Sequence, residues 1–118
     1  MTITPESAAR ALVARASGEQ AAFAVEVESL RQRLPSVSKL LRRQYGARRV
    51  VLFGSLAWGG FHEGSDVDIA VEGVSDSDAG VAMADASTAA QRLVEIFRLE
   101  DLPASFRQRV LRDGLSLP

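Results

Sequence analysis

The chain has 118 residues, a net charge of −1, 47% hydrophobic and 25% charged residues, and no cysteine. That length builds one domain around a single modest core. The near-neutral charge demands neither a nucleic-acid nor a membrane partner, though it does not exclude nucleic acid, and the lack of cysteine excludes disulfides and thiolate metal sites. No apolar run reaches the roughly 20 residues that span a bilayer. The N-terminal MTITPESAAR lacks the basic-then-apolar order of a secretion signal, so a cytoplasmic location is expected.

The first 45 residues or so read as a helical extension. Thr4 and Pro5 suit a helix cap and first turn, and Ala9, Leu12, Val13 and Ala16 follow as a thin apolar stripe. Ser17-Gly18 is expected to break this helix. A second begins near Glu19 with Phe23, Val27, Leu30 and Leu34 at helical spacing, and Pro35 is expected to end or kink it. A third starts near Ser36 with Val37, Leu40 and Leu41 inward and stops at Gly46. From Arg31 to Arg49 there are seven basic residues and no acid. This is either a solvated helix face or a positive strip for triphosphate, RNA or an acidic partner.

Two short strands follow, Val50 to Phe53 and Val67 to Val71, rich in β-branched and aromatic residues. Gly54-Ser55 closes the first and Gly64-Ser65 opens the second. Between them, Leu56-Ala57-Trp58 reads as one helical turn whose leading amides, with Gly54, form an anion cradle. Trp58 has three candidate roles: stacking on a base, burial in a partner, or half-buried packing. His62 has no second histidine or cysteine near it to complete a ligand group and reads as a loop residue.

Asp66 and Asp68 lie two positions apart, so in a strand they share one face while Val67, Ile69 and Val71 take the other. Adjacent carboxylates repel and are costly to desolvate. A hard cation such as Mg²⁺, which takes carboxylates together with phosphate oxygens, removes the conflict. The alternative makes both acids the solvent face of an edge strand.

After a polar loop over residues 73–78, an alanine-rich helix runs from about Asp76 through Gln91, with Ser77 or Asp76 as its cap. Asp78 and Asp85 read as surface charges. Arg92 to Phe97 reads as the third strand. Within it Glu95 separates Val94 from Ile96, so it either joins the face of Asp66 and Asp68 or is an exposed strand acid. A last helix starts at Leu102-Pro103, with Phe106, Val110 and Leu111 inward, and closes at Gly114. The apolar end, Leu115 to Pro118, suggests docking onto self or partner, in a homo- or hetero-oligomer.

Leu52-Phe53-Gly54-Ser55, Gly59 and Gly64-Ser65-Asp66-Val67-Asp68-Ile69 together resemble the signature of the nucleotidyltransferase superfamily. More narrowly they resemble the minimal nucleotidyltransferases (MNT domains) paired with HEPN-domain toxins. The likeness runs from about Leu40 to Leu117. It implies an α+β fold in two layers, with a small mixed sheet of about three strands flanked by helices, as a single domain over residues 1–118. It also implies that Gly54, Ser55 and Ser65 contact the nucleotide, that Asp66 and Asp68 hold Mg²⁺, and that a third carboxylate comes from a later strand, where Glu95 falls. The implied activity is transfer of AMP from ATP to a tyrosine hydroxyl of a HEPN toxin, which makes the chain an antitoxin. The family often carries arginine where this chain has Leu56 and Trp58, and the third acid is more often Asp than Glu. These departures favour a second reading, an MNT-fold module that neutralises its partner by contact alone.

Overall fold

The computed structural model describes residues 4–118, which fall into two units divided between Arg31 and Gln32. The first unit is the opening part of a helix, α1 (Pro5–Tyr45). Its start is fixed as expected: Thr4 Oγ1 accepts from the Ser7 amide at 3.1 Å, Ser7 Oγ accepts from the Thr4 amide at 3.2 Å, and Pro5 takes the first turn. The expected break at Ser17-Gly18 does not occur. A glycine inside a helix costs only about 1 kcal/mol relative to alanine, and the alanines on both sides carry the helix through it.

The second unit contains the rest of α1 and the whole sheet. Pro35 does not end the helix either, and it sits exposed on a continuous run. Its ring and missing amide therefore face solvent, where the lost hydrogen bond is least costly. The end at Gly46 is as expected, with φ +75°. Beyond it run β1 (Arg49–Phe53), α2 (Ser55–Trp58), β2 (Val67–Glu72), α3 (Asp76–Ala90), β3 (Val94–Arg98), a 3₁₀ turn Leu99–Asp101, α4 (Ala104–Asp113) and β4 (Leu115–Ser116).

The sheet is mixed and four-stranded, in the order β3-β2-β1-β4. β1 pairs antiparallel with β2 and with β4, and β2 pairs parallel with β3 through the α3 crossover. The fourth strand corrects the expectation of three. Leu117 donates its amide to Val50 O at 2.8 Å, and the Leu117 and Pro118 carbonyls accept from Arg42 and Ser38 at 2.8 and 2.6 Å. The apolar C-terminal end thus docks on the sheet edge of its own chain, where it covers unpaired backbone groups.

Both faces of the sheet are covered. Val50, Leu52, Ile69, Val71 and Val94 are fully buried on one face, and the buried stripes of α1 (Leu34, Val37, Leu41) and α3 (Ala82, Ala86, Ala90) supply the apolar cover. Each such aliphatic contributes on the order of 1.5–3 kcal/mol. Arg33 ties α1 to the α3 C-terminus through Ala90 O at 3.4 Å, and the Tyr45 hydroxyl donates to Asp85. Asp85 is therefore not simply a surface charge. On the other face Val51, Phe53, Ala70, Leu99 and Val110 form a cluster, with Phe97, Leu102, Phe106 and Trp58 against it.

Three smaller expectations are corrected. Ser75, not Ser77 or Asp76, caps α3, its Oγ accepting from Asp78 N at 3.2 Å. Leu111 is exposed, so α4 buries Val110 and packs a half-buried Phe106 beside it. The third strand begins at Val94, leaving Arg92 and Leu93 in the turn before it.

Candidate active site

The sheet register decides which side chains meet. Asp68 is opposite Phe53 on β1 and opposite Glu95 on β3, so the three project from one face. This is the face of the aromatic cluster, and the two acids stand at its end, beyond Ala70 and Phe97. Burial alternates along β2 as the two-residue spacing predicts: Val67 and Ile69 are buried, and Asp68 between them is half-buried.

Burial raises the Asp68 pKa above the usual carboxylate value, and the charges of Glu95 and then Asp66 push it further the same way. The three sequence-selected acids therefore share one electrostatic neighbourhood. None of the ion pairs among the described residues involves any of them. No three of the described acids and histidines stand close enough to enclose an ion as they are. The donor chemistry nonetheless fits a divalent cation: oxygen ligands only, mutually repelling, with no basic side chain to neutralise them.

Gly54 brings the first turn against these acids. It has φ +73°, and a Cβ there would collide with the Asp68 carboxylate. Glycine is needed for both reasons. From Gly54 the chain enters α2, where the Ala57 and Trp58 amides donate to Gly54 O and the Gly59 amide to Ser55 O. Ser55, half-buried, is thereby held at the first position of the turn, next to the residue that touches Asp68.

The positions after Ser55 serve packing. Leu56 is buried. Trp58 donates Nε1–H to Asp113 O at 2.9 Å, lies 6.0 Å from Phe53 ring to ring, and carries the Arg109 guanidinium 4.2 Å above it. Of its three candidate roles, half-buried packing against α4 matches this arrangement.

Ser65 is committed to its own loop. Its Oγ accepts from His62 N at 3.0 Å and its amide donates to His62 O at 2.9 Å, while His62 Nδ1 accepts from Gly64 N. His62 is thus a loop residue, as its isolation predicts. Most of the basic strip is placed away from the acids or spent on backbone: Arg42 binds the Arg48 and Leu117 carbonyls, and Arg48 pairs with Glu72 at the far end of β2.

Sequence reasoning missed Arg92. Placed by pattern in the third strand, it instead reaches back to the loop before Asp66 and donates to the carbonyls of His62, Glu63 and Ser65 at 3.1, 2.7 and 2.9 Å. Its Cζ lies 4.7 Å from the centre of the Phe61 ring. The only signal in the sequence was a lone arginine after the long alanine-rich run.

A family model described as Polymerase beta, Nucleotidyltransferase matches residues 36–117. Among solved structures, one provisionally named a minimal nucleotidyltransferase is 32% identical and superposes with a TM-score of 0.68, covering 77% of this chain and 95% of that one. Another, a toxin-antitoxin with AMP-PNP, is 24% identical with a TM-score of 0.61 and covers 71% of this chain and 72% of that one, a likeness of fold. No curated protein matches. With the family match spanning most of the sequence and the glycine turn set against an acid pair on adjacent strands, the chain belongs to the polymerase-beta nucleotidyltransferases, as a minimal nucleotidyltransferase domain.

Proposed function

We propose that the protein is a Mg²⁺-dependent adenylyltransferase that moves AMP from ATP to a tyrosine hydroxyl of a HEPN-type toxin, and so acts as its antitoxin. The observation that carries this reading is the register pairing of Asp68 with Glu95, with Gly54 packed on Asp68 and Asp66 within electrostatic reach. Asp66, Asp68 and Glu95 are the residues that would hold Mg²⁺, which when bound offsets the charge that develops on the phosphates. Ser55 and the backbone of its turn position the terminal phosphates, which is chiefly an orientation effect. Glu95 takes the proton of the incoming hydroxyl. The hydroxyl oxygen bonds to the α-phosphorus, the bond from that phosphorus to the bridging oxygen breaks, and pyrophosphate leaves.

The toxin as acceptor is supported by the fold likeness to a toxin-antitoxin seen with AMP-PNP. The test is incubation with labelled ATP, Mg²⁺ and the toxin encoded beside it. Label on the toxin, lost in Asp66→Asn and Asp68→Asn, supports the enzyme.

A second reading rests on Leu56 and Trp58. Both are packed apolar residues in the turn after Ser55, so that turn offers no cation to a triphosphate. On this reading the protein neutralises its partner by contact. Tight toxin binding without label, unchanged by the two substitutions, is its signature.

A further inference from the structure

The loop that precedes Asp66 is not held by its own hydrogen bonds alone. Arg92 spends its guanidinium on three carbonyls of one loop, those of His62, Glu63 and Ser65, and lies against the Phe61 ring. A planar fork with several donors can grip carbonyls facing different ways, which an ammonium cannot do.

Arg92 is itself fixed from behind. Gln91 ends α3 in the left-handed conformation at φ 57°, which turns the chain back. The Arg92 amide donates to Ser87 O at 3.3 Å, and Ser87 Oγ accepts from Val94 N at 2.9 Å. Next to it, Val67 N donates to Leu93 O at 3.0 Å. A single residue thus joins the loop ending at Ser65, immediately before Asp66, to the strand carrying Glu95 three positions later. Its charge is not what acts on the acids: Asp68 responds to Glu95 and Asp66, and Arg92 is not among its influences. What Arg92 controls is position.

We infer that Arg92 is a positioning residue that sets Asp66 against the Asp68–Glu95 pair and thereby tunes the affinity of the three acids for a divalent cation. This rests on the reading of those acids as a metal site. Removing an outer partner that orients a ligand typically costs about 10- to 100-fold in metal affinity, and a loss of at least about tenfold is expected here.

The experiment titrates the full chain with Mn²⁺ alone, followed by electron paramagnetic resonance. It compares wild type with Arg92→Ala, Arg92→Lys, Asp66→Asn and the double variant Arg92→Ala/Asp66→Asn, with far-UV circular dichroism confirming each fold. Arg92→Ala is expected to weaken Mn²⁺ binding at least about tenfold, and Arg92→Lys, which keeps the charge but not the fork, recovers little of the loss. In the Asp66→Asn background Arg92→Ala has no further effect, because the residue acts through Asp66. Amide exchange speeds up at residues 62–66 in Arg92→Ala and not elsewhere in the sheet.

Equal losses in both backgrounds would overturn the positioning role in favour of a general structural one. So would Mn²⁺ affinity unchanged in Arg92→Ala while Asp66→Asn abolishes binding. Wild type that takes up no Mn²⁺ would remove the metal site, and this inference with it.

Discussion

Asp68 and Glu95 are register partners on neighbouring parallel strands, so two carboxylates project side by side from one face of the sheet. Such a pair is a standing cost in the absence of a cation: burial first, and then the charge of Glu95, raise the pKa of Asp68. Without divalent metal, Asp68→Asn is expected to raise the melting temperature, because it removes a half-buried charge and its repulsion. With Mg²⁺ at ten times its dissociation constant, wild type gains about 1.4 kcal/mol and Asp68→Asn gains none. Melts in EDTA and in MgCl₂ check both. A substitution that destabilises the metal-free fold would show that the pair is not under electrostatic strain.

The pH dependence follows with a defined sign. The folded-state pKa of Asp68 lies above its unfolded value, so the native state binds the proton first as pH falls. Metal-free stability contributed by this group therefore rises as pH drops through the folded pKa, and levels off below the unfolded one. If Asp68 holds Mg²⁺ as proposed, protons and the ion compete for the same carboxylate and the stabilisation by Mg²⁺ falls over that window. Opposite slopes with and without metal are the expected outcome of melts from pH 7 to pH 4. Parallel slopes would exclude Asp68 as a ligand.

Gly54 sets its turn against Asp68, and its tolerance is narrow. Alanine at φ +73° costs about 1–2 kcal/mol in the backbone, and its Cβ would displace the Asp68 carboxylate. Gly54→Ala is expected to fold with a lowered melting point and to lose about 100-fold in the proposed adenylyl transfer, since small misplacements of reacting groups carry that penalty. Transfer at the wild-type rate in a folded Gly54→Ala protein would contradict the placement of Asp68 in the machinery.

What was legible in the sequence follows from periodicity and what was not follows from reach. The spacing of Asp68 from its apolar neighbours, and Glu95 between two apolar residues, left the shared face as one of two readings. The pairing of β2 with β3 puts Asp68 and Glu95 on it, with Asp66 just ahead of the strand. Strand alternation admits few other answers. The unbroken α1 was not legible, because glycine and proline speak for a break locally, whereas the alanines around Gly18 and the buried Leu34 and Val37 around Pro35 carry the helix on. β4 was hidden because two residues make no pattern, and only the pairing with Val51 and Leu52 reveals it. Arg92 was hidden for a related reason. Its partners lie 27 to 30 positions earlier and are backbone carbonyls, which carry no side-chain signature.

Pro35 gives a test of that continuity. It lies exposed within α1, where it contributes no amide and no buried contact. Pro35→Ala restores the missing donor and removes the ring, and stability is expected to rise by about 1–3 kcal/mol. Urea unfolding should show a higher midpoint at an unchanged slope. An unchanged midpoint would mean that the surrounding helix has already absorbed the cost.

Trp58 separates packing from ligand binding in one side chain. As the only tryptophan it reports alone, and it is tied to α4 through Asp113 O and Arg109 and to β1 through Phe53. Trp58→Phe keeps the ring but loses the Nε1 donor, which should cost about 1 kcal/mol. Trp58→Ala, at a half-buried site, should cost about 2 kcal/mol, below the figure for a full core position. If its role is structural, saturating ATP and Mg²⁺ leave its emission unmoved, and both variants lower the melting point without changing the ATP dissociation constant. A quench on ATP addition, with weaker ATP binding in Trp58→Phe at unaltered stability, would put the base on the indole instead. The turn after Ser55 would then serve the nucleotide directly, and the contact-only reading would lose the part of its support that rests on Trp58.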